Sequence, residues 1–401
     1  MSPAPGRRPR VLVLNHFAVP RDQAGGTRHV ELFGRLAGWD HLIIASDFNQ
    51  VTGQRVAAER GIAVVHVPEY SANGGRRVLG WLLYAARALL MGLRQRDVDV
   101  VYGSSPHLLS PLAAWLIAAV KRRPFVMEVR DLWPQVLLDM GSLSASSPVY
   151  RALALLERFL YWRADAIVSM AEGTTRALEA RGIDPAKIVY IPNGADPADF
   201  TPSAPRDELR ARYAFTRFTA IYTGAHGPAN GLDLLLDAAV ELEAQGRQVD
   251  VVLVGGGVEK AQLVARATAE KIAAVRFFDP VPKSEIPDLL AAADLGLHVL
   301  ADVELFRTAV SPNKLFDYMA AGLPVVTNCG GLIQDLVEQA DCGIGVAPTG
   351  MASGLAAMSG KPAAELRADG MRGRDWIEAH QSRTAMAARL AGLLDRLHRG
   401  V

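Results

Sequence analysis

The residues best suited to hold a phosphorylated ligand lie in one segment of the second half of the chain, SPNKLFDYMAAGLPVV. Ser311 and Pro312 are typical of the N-cap and first position of a helix. Lys314 and Asp317 lie three residues apart on this helix and therefore share one face. The helix N-terminus at Asn313 and the lysine suit a diphosphate, while an acid one turn later can accept hydrogen bonds from a ribose diol. A capped amphipathic helix, with Lys314 and Asp317 as an ordinary ion pair on its solvated side, fits the same pattern.

A second candidate is the loop EVRDLWPQVL, which follows a predicted strand at Pro124–Glu128. It places Arg130, Asp131 and Trp133 directly after the end of that strand. Ligands of open α/β sheets bind beyond the carboxyl ends of the strands, so we interpret these as binding residues. The alternative is that Arg130 and Asp131 simply pair with each other at the surface.

Glycine-rich turns follow three other predicted strands. In the first half of the chain, Gly25 and Gly26 precede Thr27 at a helix start. In the second half, the turns contain glycines and one histidine: Gly224, His226, Gly227, Gly231 and Gly255–Gly257. Such turns let the backbone approach an anion, but they are also ordinary connections and caps between strands and helices. None has the spacing of a P-loop or of the G-x-G-x-x-G dinucleotide motif.

Short apolar runs alternate with stretches of helical spacing along the chain. This alternation predicts an α/β fold of doubly wound parallel sheets covered by helices on both faces. The predicted strands of the first half are Val11–Asn15, His41–Ala45, Ala63–Val67, Val98–Tyr102, Pro124–Glu128 and Ala166–Ser169. Those of the second half are Phe218–Tyr222, Val249–Val254, Val275–Phe278, Leu295–Val299, Pro324–Thr327 and Gly343–Val346. Two such series predict two Rossmann-like domains.

The stretch Ile191–Pro205, IPNGADPADFTPSAP, is the predicted linker because it concentrates residues that interrupt regular structure. We expect an N-terminal domain over residues 1–195, a second domain over 206–380, and a C-terminal helix over 381–401. From Met358 onward the sequence has helical spacing and no strand candidate. These last helices either close the second domain or fold back onto the first.

The amino-acid composition argues against several classes of function. The 401 residues carry a formal net charge of only +1, which argues against nucleic acid as a partner. The two cysteines, Cys329 and Cys342, lack metal-ligand spacing, which excludes a disulfide framework and a structural zinc. We find no D-x-D pair for a metal-bound diphosphate, and we expect neither metal nor cofactor. The N-terminal apolar run VLVLN is too short for a signal-peptide core, so we expect a cytoplasmic protein.

The stretch Arg76–Arg96, RRVLGWLLYAARALLMGLRQR, is the least polar helix candidate. It is too short and too charged to span a bilayer comfortably, but its aromatic residues and terminal arginines suit a membrane interface. A buried helix that packs on the sheet explains the same pattern.

Taken together, these motifs are specific enough to indicate a protein family. The chain resembles the family 4 retaining glycosyltransferases of the GT-B fold, and among them the bacterial N-acetyl-L-fucosamine transferase group of surface-polysaccharide assembly. The segments that carry this resemblance occur in order over most of residues 10 to 330: NHFAVPRDQAGGTRHVELFGRLA, ASDFN, EVRDLWP, ADAIVSMAEG, IPNGADPADF, YTGAHGPANGLDLLLDAA and SPNKLFDYMAAGLPVV.

The resemblance implies two facing Rossmann-like domains, of which the first binds the acceptor and the second a nucleotide sugar. The acid that ends the family's E-x7-E motif and binds the donor ribose corresponds to Asp317, whereas the first glutamate is replaced by Ala309. The family's phosphate-binding arginine and lysine correspond to Ala225 and Asn230, so both charges are missing. Lys314 is the nearest candidate to replace them, and Arg307 is a weaker one.

The remaining assignments also follow from the resemblance. The base-recognition loop corresponds to Phe278–Lys283, which includes Val281, and the glycine-rich loop of the acceptor domain corresponds to Gly25–Thr27. Arg130 and Asp131 would lie on the acceptor side. The implied donor is a UDP-sugar, and the implied acceptor is a polyprenyl-diphosphate-linked sugar at the inner leaflet of the cell membrane, to which the protein would bind peripherally.

In such a transfer the protein must stabilise charge on the departing diphosphate and hold both reactants. Lys314 would neutralise that charge, with help from the amides of Gly25 and Gly26, and Asp131 would orient or deprotonate the acceptor. Two alternatives remain: a nucleotide-sugar epimerase, and a degenerate transferase that serves as an assembly subunit without catalysis.

Overall fold

The computed structural model describes residues 7–23, 25–70, 75–139, 141–307, 311 and 313–400. They divide into two compact units, the first comprising mainly Gly25–Pro192 and the chain from Arg383 onward, the second mainly Asn193–Ser382. Each unit is built around one parallel sheet, which is the GT-B architecture of two Rossmann-like sheets predicted from the sequence.

The sheet of the first unit has seven strands in the order β3-β2-β1-β4-β5-β6-β7. Their bounds are β1 Arg10–Leu14, β2 Asp40–Ser46, β3 Ile62–Val65, β4 Val100–Ser104, β5 Phe125–Val129, β6 Ala166–Ser169 and β7 Ile188–Tyr190. The helices of this unit are α1 Arg28–Phe33, α2 Gly75–Arg94, α3 Leu109–Lys121, α4 Gln135–Asp139, α5 Pro148–Arg163, α6 Glu172–Ala180 and, at the end of the chain, α15 Arg383–Arg399.

The sheet of the second unit has six strands in the order β10-β9-β8-β11-β12-β13. Their bounds are β8 Phe218–Thr223, β9 Val249–Val254, β10 Val275–Phe278, β11 Leu295–His298, β12 Val325–Thr327 and β13 Gly343–Gly345. The helices are α7 Arg206–Tyr213, α8 Asp233–Ala244, α9 Lys260–Ala269, α10 Ile286–Ala292, α11 Asn313–Ala320, α12 Leu332–Gln339, α13 Met351–Ser359 and α14 Ala363–His380.

The predicted strands are all found, each within two residues of its predicted ends. The strand missed by the sequence is β7, because its three residues lie next to the Pro- and Gly-rich linker and look like part of it. The boundary between the units falls between Pro192 and Asn193, inside the predicted linker.

The last helix, α15, packs on the first unit. Its buried residues Met386, Leu390 and Leu394 join the core that contains Val11 and Ile43. Two polar contacts fix the helix ends: Arg383 forms an ion pair with the buried Glu31 at 2.6 Å, and Trp39 donates to Asp395 at 2.8 Å. Of the two positions that the sequence left open for the final helices, α15 takes the first unit and α14 the second.

Helix α2 has two different faces. Gly80, Tyr84, Ala88 and Gly92 form a buried stripe of mostly small residues, and a side chain at Gly92 would collide with Ile117 of α3. The opposite face exposes apolar side chains, each about half accessible: Val78, Leu79, Leu82 and Leu90. The helix therefore packs on the sheet and also presents apolar residues to solvent. Over the described ranges, no helix combines the length and the apolar character needed to cross a membrane.

Candidate functional site

The candidate site of the second unit lies where its strand order reverses. β8 and β11 are neighbours in the sheet although they are not consecutive in the chain, and the loops after them diverge to opposite sides. Such switch points form the crevice in which open α/β sheets bind ligands. Lys314, in the first turn of α11, lies against β8 at this point.

Three contacts hold Lys314. Its ammonium donates to the hydroxyl of Tyr222 at 3.0 Å and to Oδ1 of Asn230 at 2.7 Å. It also lies 4.5 Å from the centre of the Tyr222 ring. In the described part of the chain, no carboxylate is among the partners of Lys314. Burial lowers the pKa of the Lys314 ammonium to about 7, so the site favours an anion that would restore the charge.

Two buried histidines lie near this lysine, and both are neutral near pH 7. Burial lowers the pKa of His226 to about 4, with smaller effects of Lys260 and Lys314, and lowers that of His298 to about 3. Within the described ranges, neither ring nitrogen of His226 has a hydrogen-bond partner, nor does Nε2 of His298. The histidines therefore add no positive charge to that of Lys314 and can offer hydrogen bonds.

The glycine turns of this unit pack directly on each other. A Cβ at Gly255 would collide with the carbonyl oxygen of Gly224, and one at Gly257 with that of His226. The amide of His226 also donates to the carbonyl of Gly256 at 2.8 Å. The glycines after β8 and β9 are thus explained by close contact between two loops. Their role toward a phosphate stays a prediction.

Asp317 has a different environment from the one expected for a surface ion pair with Lys314. It is buried, with 6% of its surface exposed, and it forms an ion pair with Lys283. The alternative of an ordinary Lys314–Asp317 ion pair on the solvated side of the helix is wrong, because α11 turns the acid toward the loop after β10. Whether this carboxylate also binds a ribose stays a prediction.

The other predicted residues of this unit are placed as follows. Asn313 begins α11 and is exposed, whereas Val281 is half-buried and packs against the core under the loop after β10. Ser311 Oγ accepts from the amide of Asn193 at 2.9 Å. The predicted N1 residue Pro312 and the replaced glutamate position Ala309 lie outside the described residues.

In the first unit, a buried carboxylate that the sequence analysis did not single out organises the strand ends. Glu128, at the end of β5, is fully buried and accepts from Tyr102 at 2.7 Å and from Ser104 at 2.9 Å. It also contacts Arg28 at 3.2 Å and His29 at 2.8 Å. Burial alone would raise the pKa of Glu128, but His29 and Arg28 hold it well below its ordinary value.

This network joins the two predicted binding loops of the first unit. Arg28 and His29 follow the Gly25–Thr27 turn, and Glu128 precedes Arg130 and Asp131 in the EVRDLWP loop. The only sequence signal for Glu128 was an acid inside an apolar strand, where a charge needs buried partners.

Arg130 and Asp131 lie beyond the end of β5, as predicted for a ligand-binding loop of this sheet. The amide of Arg130 donates to Ser105 Oγ at 2.9 Å, which ties this loop to the one after β4. Asp131 reaches solvent, yet the surrounding protein raises the pKa of its carboxyl, and Arg130 opposes that shift. The two side chains form no ion pair in the structure as described. Their roles toward an acceptor stay predictions.

The Gly25–Thr27 turn is also built by local packing. A Cβ at Gly26 would lie 2.8 Å from the carbonyl oxygen of Phe17, and Thr27 caps α1 without a side-chain hydrogen bond. Thr27 therefore occupies the N-cap position of the turn-and-cap alternative, although its hydroxyl makes no capping hydrogen bond, and phosphate binding by this turn stays a prediction. Across the described residues, no cluster of three His, Cys, Asp or Glu side chains could hold a metal ion.

Two family descriptions match the chain, one for each unit. The family described as Glycosyl transferase 4-like domain matches residues 27–194. The family described as Glycosyl transferases group 1 matches residues 217–361. Each match covers the loops that contain the predicted site residues of its unit, apart from Gly25 and Gly26.

Known proteins agree with these matches. The probable glycosyltransferase WbjE of Pseudomonas aeruginosa is 27% identical over 260 residues, which span 62% of each chain. The putative colanic acid biosynthesis glycosyl transferase WcaI of Escherichia coli is 24% identical over 280 residues, or 67% of this chain and 68% of the relative. The structure of Anabaena HepE in complex with UDP-glucose is similar, with a TM-score of 0.68, 17% identity, and coverage of 96% of this chain and 99% of HepE. The chain therefore belongs to the group 1 glycosyltransferases, family 4, with the GT-B fold.

Proposed function

We propose that this chain is a retaining, metal-independent glycosyltransferase of bacterial surface-polysaccharide assembly. It moves a sugar, an N-acetylated deoxyhexosamine, from UDP to a polyprenyl-diphosphate-linked acceptor. The observation that carries the proposal is Lys314, a half-buried ammonium without a carboxylate partner among the described residues, placed at the switch point of the second sheet. The name of WcaI, which refers to colanic acid biosynthesis, and the UDP-glucose bound to HepE support the choice of product and donor.

Lys314 takes the diphosphate of the donor in this proposal. Its hydrogen bond to Asn230 supports this role, because the resemblance matches Asn230 to one of the family's two phosphate-binding cations. The bond from the sugar C1 to the diphosphate oxygen breaks, and negative charge accumulates on the leaving group. A preorganised cation in a partly dry site stabilises that charge more in the transition state than in the ground state.

The acceptor hydroxyl forms the new bond to C1 on the face from which the diphosphate leaves, so the anomeric configuration is retained. Its proton passes to the leaving diphosphate or to Asp131. The raised pKa of the Asp131 carboxyl suits a group that orients a hydroxyl and can take its proton.

The exposed face of α2 provides the contact with the inner leaflet of the cell membrane. Leu79, Leu82 and Leu90 are exposed on this face, and Arg76 and Arg94 are exposed near its ends. Apolar residues between arginines suit the headgroup region of an anionic bilayer. A peripheral position of this kind lets a lipid-linked acceptor reach the protein without leaving the membrane.

The test incubates the protein with a panel of UDP-sugars and a polyprenyl-diphosphate-linked sugar. Turnover is measured as UDP release and as the change in mass of the acceptor. Acceptor-dependent release of UDP together with an extended acceptor is the expected result, and NMR of the product gives the anomeric configuration. Metal chelation should leave the rate unchanged.

The same assay separates the alternatives. A changed donor sugar with no UDP release would identify an epimerase. UDP binding by calorimetry without turnover of any donor would favour a non-catalytic subunit. Absence of UDP binding would overturn the assignment of the second unit to a uridine nucleotide.

A further inference from the structure

A cluster of aromatic side chains lies at the carboxyl ends of the central strands of the first sheet. We name it the aromatic cluster: His16 follows β1, His107 follows β4, Trp133 lies beyond β5, and Trp81 comes from α2. β1 and β4 are neighbours at the point where the strand order reverses, so the two histidines bridge the switch point of this sheet. That position favours a ligand site.

The members of the cluster contact each other in one continuous series. Nδ1 of His16 lies 3.0 Å from Nε2 of His107. The ring of Trp81 stacks on that of His107, with centres 5.1 Å apart and an angle of 19°. Trp133 meets Trp81 edge to face at 5.6 Å. The series therefore connects the switch point to the EVRDLWP loop.

Two polar atoms of the cluster have no partner. His107 is 1% exposed, yet its Nδ1 makes no hydrogen bond in the described part of the molecule. The same is true of the buried indole Nε1–H of Trp81. A buried polar atom without a partner costs free energy, and a bound hydroxyl or phosphate oxygen would remove that cost. An indole N–H can only donate, so it needs an acceptor oxygen.

The charge around the cluster is positive, but the imidazoles do not supply it. Burial and then Arg77 lower the pKa of His107 to about 3, while burial and then His107 lower the pKa of His16. Both rings are neutral and act by hydrogen bonding. The guanidinium of Arg77 acts on both imidazoles and lies 5.1 Å from the centre of the Trp81 ring.

We propose that the aromatic cluster binds the first sugar of a diphosphate-linked acceptor, and that Arg77 binds the diphosphate of the same molecule. Aromatic faces accommodate the apolar faces of a sugar ring, and the free polar atoms of Trp81 and His107 pair with its hydroxyls. This inference rests on the proposed function, because it assigns the acceptor of that reaction. It adds residues to which the sequence resemblance gave no role: His16, Arg77, Trp81 and His107.

The position of α2 explains how a lipid would leave this subsite. Arg77 and Trp81 lie in the first two turns of the helix, and the exposed Val78, Leu79 and Leu82 lie in the same two turns. A lipid attached to the diphosphate would therefore meet apolar side chains as soon as it leaves Arg77.

The test uses a soluble acceptor analogue, a short prenyl diphosphate linked to a sugar. The variants are Trp81→Leu, which removes the ring, and Trp81→Phe, which keeps a ring but removes the N–H, together with His107→Gln. Trp162→Leu is the matched control, because Trp162 is a tryptophan of the same unit with 67% of its surface exposed. We expect Trp81→Leu and His107→Gln to raise the acceptor KM at least tenfold, with a smaller rise for Trp81→Phe and none for Trp162→Leu. The donor KM should stay within twofold of wild type in all four.

Direct binding separates the two parts of the ligand and does not require turnover. In calorimetry without donor, Arg77→Gln should lower the affinity for the diphosphate analogue at least tenfold. It should leave the affinity for a simple methyl glycoside of the same sugar unchanged. Trp81→Leu should lower the affinity for both ligands. A circular dichroism spectrum and a melting temperature like those of wild type show that each variant is folded. An unchanged acceptor KM in correctly folded Trp81→Leu and His107→Gln would overturn the subsite even if the enzyme transfers sugar. Binding of the analogue at the cluster without any turnover would instead sustain the subsite and reject the transferase.

Discussion

The ammonium of Lys314 lies 2.7 Å from Oδ1 of Asn230, although the two residues are 84 positions apart. The resemblance matches Asn230 to a phosphate-binding cation of the family, and we propose that Lys314, in the first turn of another helix, supplies the missing charge. The pair also joins the elements on both sides of the switch point, β8 with its following loop and β11 with α11. The first predictions follow from this arrangement.

Replacement of Lys314 by alanine should lower the transfer rate about a hundredfold, which corresponds to about 3 kcal/mol of transition-state stabilisation. Stability should change little, because a half-buried ammonium without a carboxylate partner among the described residues stabilises the fold weakly. The measurements are kcat at saturating donor and the melting temperature. Lys271→Ala, at an exposed lysine of the same unit, is the control and should behave as wild type. Unchanged turnover of Lys314→Ala would exclude the role.

UDP binding should depend on pH through the same lysine. The pKa of Lys314 is about 7 in the free protein, and a diphosphate favours the protonated form. The affinity should therefore be highest below pH 7 and fall above it by up to about tenfold per pH unit, until the raised pKa of the bound state is reached. His226 and His298 do not contribute, because burial lowers the pKa of the first to about 4 and of the second to about 3.

The control for this pH dependence is Lys314→Arg, since a guanidinium stays charged over the whole range. Calorimetry between pH 6.5 and 9.0 should show a slope for wild type and none for the variant. The same slope in both proteins would assign the titration to another group.

Asp317→Asn should raise the donor KM about tenfold or more and change kcat little, because a ribose contact is made equally in the ground and transition states. The ion pair with Lys283 provides a matched comparison. Lys283→Gln breaks the pair but keeps the carboxylate, so a smaller effect on KM is expected. Equal effects would mean that the pair is structural, and a collapse of kcat at constant KM would place Asp317 at the reacting centre.

The helix that carries the candidate residues of the second unit could be predicted from the sequence, for a physical reason. The motif around Lys314 and Asp317 is local, so its helix and the spacing of its charges follow from neighbouring residues. The residues that contact these charges cannot be predicted from neighbouring residues. Asn230 and Lys283 come from distant loops, and the strand order alone brings them to α11.

In the first unit the chemistry is dispersed over single residues. His16, His107 and Glu128 each follow or end a strand and lie far apart in the sequence, and they come to one edge of the sheet only because β1, β4 and β5 are adjacent. A search for polar residues at the ends of all predicted strands would have found them. For helix α2 the sequence pattern was compatible with both a buried helix and an interfacial helix. In the structure one face of α2 is buried and the opposite face exposes apolar side chains.

Glu128→Gln should destabilise the first unit by about 3–5 kcal/mol, because it removes the negative charge that pairs with Arg28 and His29 inside a fully buried network. Urea unfolding followed by a probe in this unit measures the loss. Glu172→Gln removes an exposed ion pair with Arg176 and should cost less than about 1 kcal/mol. If Glu128→Gln loses no more stability than Glu172→Gln, the buried network around Glu128 does not stabilise the first unit.

The last prediction concerns the membrane and separates the arginines of α2 and its flanks into two groups. Arg76, Arg94 and Arg96 are exposed, whereas Arg77 is half-buried on Trp81 and is left unchanged. Each exposed arginine near an anionic bilayer contributes about 1 kcal/mol, so replacing all three by glutamate should weaken binding to anionic liposomes at least about a hundredfold.

The three lysine substitutions at the same positions form the control, because they keep the charge and should keep liposome binding. Activity on a polyprenyl-linked acceptor in liposomes should fall with binding in the glutamate variant. Activity on the soluble analogue should be retained, because these side chains lie outside the proposed acceptor subsite. If the glutamate variant loses activity equally on both acceptors, the arginines support the fold of α2 and the membrane contact lies on another surface of the protein.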